Sequence, residues 1–138
     1  MATKFEIIIF TASIKEYADQ ILNHLDPENK IFIKRFYREH TENIENQYNL
    51  KDLSIINKDI QKTIIIDNIP ENFTKHKENG IYIKSWYNNT NDTALKELIP
   101  ILLELANSQT TDVRTYLKYF KSKLIDDIQK GCLNPCIE

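Results

Sequence analysis

The sequence predicts an α/β fold built on a mostly parallel sheet, on three observations. Thr63-Ile64-Ile65-Ile66-Asp67-Asn68 is a continuous β-branched run, the pattern of a strand covered on both faces, since a strand with one wet face would alternate. Residues 5–10, Phe-Glu-Ile-Ile-Ile-Phe, form a second such run. A stretch with helical spacing follows it directly, which is the order of a βα unit. In open α/β sheets, ligands bind just beyond the carboxyl ends of the strands. Asp67 and Asn68 end one run and Thr11 ends the other, so these three stand where a site is expected.

Length and composition bound the possibilities. A chain of 138 residues with a net charge of −2 is the size of one domain and carries no basic excess to attract nucleic acid. At 41% hydrophobic and 28% charged residues it has the balance of a soluble globular protein. Two glycines and four prolines leave no evident linker. No apolar run approaches the roughly 20 residues that span a bilayer, and Met1-Ala2-Thr3-Lys4 leads straight into a core-type strand, so neither a membrane span nor a secretion signal is expected. Cys132 and Cys136 lack the further ligands of a structural zinc site and read as tail thiols.

The elements follow in order. Ser13 and Glu16 have the spacing of a capping box and predict a helix start. Tyr17, Ala18, Ile21, Leu22 and Leu25 recur on its apolar face, and Asp26-Pro27 ends it. Thr11 therefore precedes a helix N-terminus, where backbone donors favour an anion. Residues 31–36 predict a short strand, and 37–49, polar and aromatic without a period, an irregular or hairpin insertion. Lys51-Asp52-Leu53-Ser54 opens a mixed segment before the Thr63 strand, and Ile81-Tyr82-Ile83 is a further strand. Leu95, Leu98, Ile99, Leu102 and Leu105 mark a helix capped by Asp92, with Pro100 predicting a bend near Ile99. Val113, Tyr116, Leu117, Phe120, Leu124 and Ile128 mark a last helix capped by Thr111 or Asp112.

The pieces FEIIIFTASIKEYAD, RFYREH, LKDLS, TIIIDNIPENF and ENGIYIKSWYNNTNDTALKELIPILLEL, in this order, carry a resemblance. Over about residues 4–117 the chain resembles the phosphatase domain of the small phosphatases of the RNA polymerase II C-terminal domain. It also resembles their dullard-type, NLI-interacting-factor-like relatives, all within the haloacid dehalogenase superfamily. The resemblance implies a Rossmannoid three-layer fold with a small hairpin insertion and C-terminal helices, with residues 1–119 as the partial phosphatase domain and 120–138 as the helix end and tail.

By position, it implies that Thr11 hydrogen-bonds a phosphoryl oxygen and that Lys51 neutralises charge on the nucleophile and phosphoryl group. Asn68 matches a magnesium ligand and Asp67 its acidic neighbour, oxygen ligands being what Mg2+ prefers. Tyr17 and Arg38 match residues lining a phosphopeptide groove. The implied activity is a magnesium-dependent protein serine/threonine phosphatase acting on phosphopeptides through an aspartyl-phosphate. The implied location is nuclear or at the nuclear envelope.

Two departures matter. The family's mechanism begins at Asp-x-Asp-x-Thr, whose first Asp attacks phosphorus, and no Asp-x-Asp occurs in the 138 residues. The isolated chain is therefore expected to be inactive, with the nucleophile strand missing from between the Phe5 and Thr63 strands and exposed strand edges that favour self-association. The family's Gly-Asn-Tyr-Val is here Gln47-Tyr48-Asn49-Leu50. The alternative is a non-catalytic module of the same fold, such as a mitochondrial inner-membrane translocase receptor subunit or a phosphatase-like regulator. The family's Asn at position 68 argues against the translocase branch.

Overall fold

The first aliphatic run becomes β1 (Ile7–Phe10), which α1 (Lys15–Leu25) carries over to β2 (Phe32–Phe36) in a parallel crossover. The computed structural model describes residues 1–57 and 59–129, and Cys132 and Cys136 lie outside the described residues. The chain divides into two compact units, Met1–Asp52 and the residues from Leu53 onward. The boundary falls inside Lys51-Asp52-Leu53-Ser54, a motif with none of the composition of a linker.

In the first unit β1 begins two residues later than expected, because the N–H groups of Lys4 and Phe5 turn back to the Met1 carbonyl. The capping box does not form. Ile14 holds the cap position of α1 without a side-chain hydrogen bond, and the Ser13 N–H goes instead to Thr11 Oγ1 at 3.1 Å. The predicted apolar face of α1 is also wider than the cover available. Ala18 and Leu22 are buried with Tyr37, Ile9 and Phe32, whereas Tyr17, Ile21 and Leu25 are exposed, since a two-stranded sheet shields only one edge of the stripe.

Asp26 closes α1 and is 2% exposed. Its carboxylate accepts the N–H groups of Lys30, Ile31 and Phe32 at 2.9, 3.0 and 3.0 Å, which shapes the entry into β2. The insertion is a hairpin, as one of the two expected forms, with β3 (Glu42–Ile44) antiparallel to β4 (Tyr48–Leu50). Glu45 and Asn46 turn it at φ of 50° and 59°, a left-handed conformation that Asn tolerates better than most residues.

In the second unit β5 (Ile65–Asp67) pairs in parallel with β6 (Gly80–Tyr82), Asp67 facing Tyr82. β5 is shorter than the six-residue run because Thr63 closes a 3-10 turn on the Ile60 carbonyl. Buried Asn79 donates to the carbonyls of Ile60 and Thr63, both at 2.8 Å, tying the approaches of the two strands together. The segment between them (Pro70–Asn79) is 3-10 helix with a kink, and its Phe73 packs with Leu53 and Ile65. The expected parallel pairing is thus present as two pairs, each a sheet of its own, rather than as one continuous sheet.

α2 (Ala94–Asn107) starts one residue later than expected, with Thr93 at the cap and Asp92 Oδ1 accepting the Ala94 N–H at 3.0 Å. It does not divide at Pro100. Ala94, Leu98, Leu102 and Leu105 are buried along it, and their burial offsets the roughly 3 kcal/mol that an interior proline costs. α3 (Val113–Gln129) begins after Asp112, whose Oδ1 accepts the Arg114 N–H at 2.9 Å as the expected cap. Tyr116 and Leu117 of its stripe are buried.

Gly80 is required by packing. A Cβ there would stand 2.0 Å from Phe73 Cε2 and 2.3 Å from Cδ2, and the Phe73 ring is itself buried. Gly80→Ala is expected to lower stability by about 1–3 kcal/mol, read as a lower urea midpoint at unchanged slope. An unchanged midpoint would show that the ring moves freely.

Candidate functional site

Thr11 follows the last residue of β1, and its turn is laced to the segment leaving β2. Its N–H donates to the Phe36 carbonyl at 2.9 Å, while the Arg38 N–H donates to the Ser13 carbonyl at 3.0 Å. Arg38 Nε also donates to the Ala12 carbonyl at 2.7 Å. Backbone and guanidinium thus fix residues 11–13 from one side. Thr11 Oγ1 accepts from Ser13, which leaves the hydroxyl proton as a donor.

The residue before Arg38 is held as firmly. Tyr37 is buried, and its hydroxyl donates to Asp19 Oδ1 at 2.6 Å. Arg35 reaches the same Oδ1 at 3.0 Å and also Asn23 and Asn29 at 2.7 and 3.1 Å. Hydrogen bonds from Lys15 and Tyr37 lower the Asp19 carboxyl to about 2, so it remains an anion and an acceptor across the neutral range. Asp19, Arg35 and Tyr37 are positioning residues that sequence reasoning missed. The i, i+4 spacing of Lys15 and Asp19 was the one visible signal, and an exposed pair at that spacing is ordinarily just a solvated helix face.

Lys51 comes directly after β4, behind the buried Leu50. It is 8% exposed, and its ammonium lies 5.9 Å from the centroid of the Phe10 ring, the side chain just before Thr11. In the first unit Arg38 is thus tied to the turn that follows β1, and Lys51 lies near the last ring of that strand. Tyr17 does not join them through hydrogen bonding, being 59% exposed on α1.

In the second unit Asp67 ends β5 and is 6% exposed. Its Oδ1 accepts the Ile69 N–H at 2.9 Å and faces Asn72 Nδ2 at 3.5 Å, a local turn that carries Asn68. The exposed Asn68 donates from Nδ2 to Ser85 Oγ at 2.9 Å. Ser85 is a fourth residue that the sequence did not reveal, since a contact across 17 positions has no local signature.

Among the described residues no three His, Cys, Asp or Glu side chains gather as a metal cage. Magnesium keeps several waters and takes one or two protein oxygens. With its amide N–H engaged by Ser85, Asn68 has its carbonyl oxygen left as a hard ligand. Asp67, with one oxygen on the Ile69 N–H, fits as the neighbour that sets the Asn68 turn.

Residues 1–114 match the NLI interacting factor-like phosphatase family. The chain is 44% identical to the CTD small phosphatase-like protein 2 of Dictyostelium discoideum, over 83% of this chain and 19% of that protein. It is 40% identical to the nuclear envelope morphology protein 1 of Schizosaccharomyces pombe, over 82% of this chain and 23% of that one. It is 38% identical to the CTD nuclear envelope phosphatase 1 of Xenopus tropicalis, over 82% and 45% respectively. The chain thus spans less than half the length of these relatives.

Proposed function

The chain belongs to the NLI interacting factor-like phosphatase family, and on that premise we propose that it forms the phosphate-holding part of a magnesium-dependent protein serine/threonine phosphatase domain. Its substrates are phosphopeptides such as the RNA polymerase II C-terminal domain. The observation that carries this reading is the burial of Lys51, 8% exposed, with its ammonium 5.9 Å from the Phe10 ring at the end of the strand that Thr11 follows. Relatives named for C-terminal-domain and nuclear-envelope phosphatases support the substrate class and a place at the nuclear envelope.

In this reading the Thr11 hydroxyl, fixed as an acceptor by Ser13, donates its proton to a phosphoryl oxygen. The buried Lys51 balances the charge that builds on phosphorus and the attacking carboxylate, and its burial reduces screening by water. Arg38, held through Nε by Ala12, and exposed Tyr17 border the peptide groove. Asn68 holds magnesium through its carbonyl oxygen, with Asp67 setting the turn. When bound, the ion supplies charge neutralisation and orientation of the phosphoryl group.

None of these groups attacks phosphorus, and the 138 residues contain no Asp-x-Asp to do so. By itself the chain is therefore expected to release no phosphate from a phosphoserine peptide. A polypeptide that also carries an Asp-x-Asp-x-Thr strand ahead of residue 1 is expected to turn over with magnesium. In that polypeptide Asn68→Ala should raise the magnesium concentration needed by about 10–100-fold. Turnover with an unaltered magnesium requirement removes Asn68 from the metal site, and no turnover in the completed polypeptide removes the phosphatase reading.

A further inference from the structure

A cavity of about 370 Å³ in the second unit lies between the 3-10 segment, β6 and α3. Phe73, Pro70 and Tyr82 give it an apolar lining, and two lysines, Lys77 and Lys121, also line it. Lys121 is half-buried, and its Nζ donates to the Gly80 carbonyl at 2.8 Å. An ammonium has three N–H donors, and the Gly80 carbonyl uses one. No carboxylate pairs with Lys121 or Lys77 among the described residues. Burial holds the Lys121 ammonium below the ordinary lysine value, the direction expected where a cation lacks an acidic partner.

Charge and size together select a ligand. Two lysines and the one lining carboxylate, Glu71, leave a single net positive charge, which one anionic group would balance. The depression is open to solvent, so it would cover one face of a small ligand, and its mixed lining suits an apolar body with one polar end. We propose that this cavity binds a small amphipathic monoanion, an organic acid whose carboxylate meets Lys121 and Lys77 while its aromatic or aliphatic body lies against Phe73, Pro70 and Tyr82. The site shares no residue with the Thr11, Lys51 and Asn68 groups and does not rest on the phosphatase reading.

The test is a titration of the 15N-labelled 138-residue chain with phenylacetate, followed by NMR. The chain has two glycines, so the Gly80 amide stands in an uncrowded region and reports on the cavity wall, while the Ile81 N–H shares the peptide plane of the carbonyl that Lys121 holds. A saturable Gly80 shift with a dissociation constant of about 1 mM or below is expected. Lys121→Met should weaken binding at least about tenfold, and Lys77→Gln, an exposed change that leaves the packing alone, should weaken it about threefold. Phenylacetamide, the neutral isostere, and inorganic phosphate, which lacks an apolar body, should each bind far more weakly. The proposal is overturned by the absence of a saturable shift, by equal binding of either control compound, or by unchanged affinity in both well-dispersed variants.

Discussion

Lys51→Ala, in a polypeptide completed with the Asp-x-Asp-x-Thr strand, is expected to lower kcat for a phosphoserine peptide by about 10²–10³-fold. The expectation rests on burial. Lys51 is 8% exposed, so its charge acts at short range on a group that water screens poorly. Neither Thr11, a single neutral donor, nor Arg38, whose Nε is engaged by the Ala12 carbonyl, supplies an ammonium at that place. Steady-state kinetics would show the loss in kcat more than in KM, because the charge Lys51 balances grows in the transition state. Activity retained within about threefold would mean that Lys51 is a structural cation packed on Phe10 and has no part in the chemistry.

Asp26→Ala is expected to lower Tm by about 5–10 °C at pH 7, the largest effect on stability foreseen for one side chain. The substitution leaves the N–H groups of Lys30, Ile31 and Phe32 without the acceptor of the part-buried hydrogen bonds that shape the entry into β2. Asp26→Asn should recover part of the loss, since an amide offers one carbonyl oxygen where the carboxylate offers two. The pH dependence has a definite sign. Burial pushes the Asp26 carboxyl up, but the three backbone donors outweigh it and leave the folded value below the ordinary one of 3.8. Stability from a depressed carboxyl is fully present above the unfolded value and is lost as pH falls through the folded one. The Tm difference between the wild-type chain and Asp26→Asn should therefore be constant near neutrality and shrink only below about pH 4. A difference that persists unchanged to pH 2 would show that charge on Asp26 contributes nothing.

Much of the local structure was legible because it is set by short-range rules. The aliphatic runs marked β1 and β5, the aperiodic polar stretch allowed the hairpin as one of two forms, and Asp112 was one of two candidate caps for α3. The order of motifs gave the family, now carried by a match over residues 1–114. Errors arose where two local rules competed. Ser13 had a proper capping-box partner in Glu16, yet Thr11 lay closer to its N–H and took it. Asp92 had the right chemistry for a cap, and it satisfies Ala94 from one position further out.

Chain composition and order alone singled out the candidates: Thr11, Asp67 and Asn68 by residue type and their place at predicted strand ends, and Lys51 through the family resemblance, while the lack of Asp-x-Asp is a property of the string itself. Only the tertiary structure decided what holds them. The Asp19, Arg35 and Tyr37 network, the Ser85 contact to Asn68 and the Lys121 bond to Gly80 join residues 16 to 41 positions apart. Such contacts form because folding brings unlike segments within hydrogen-bonding distance, and no periodicity or propensity in either segment records which partner it will meet.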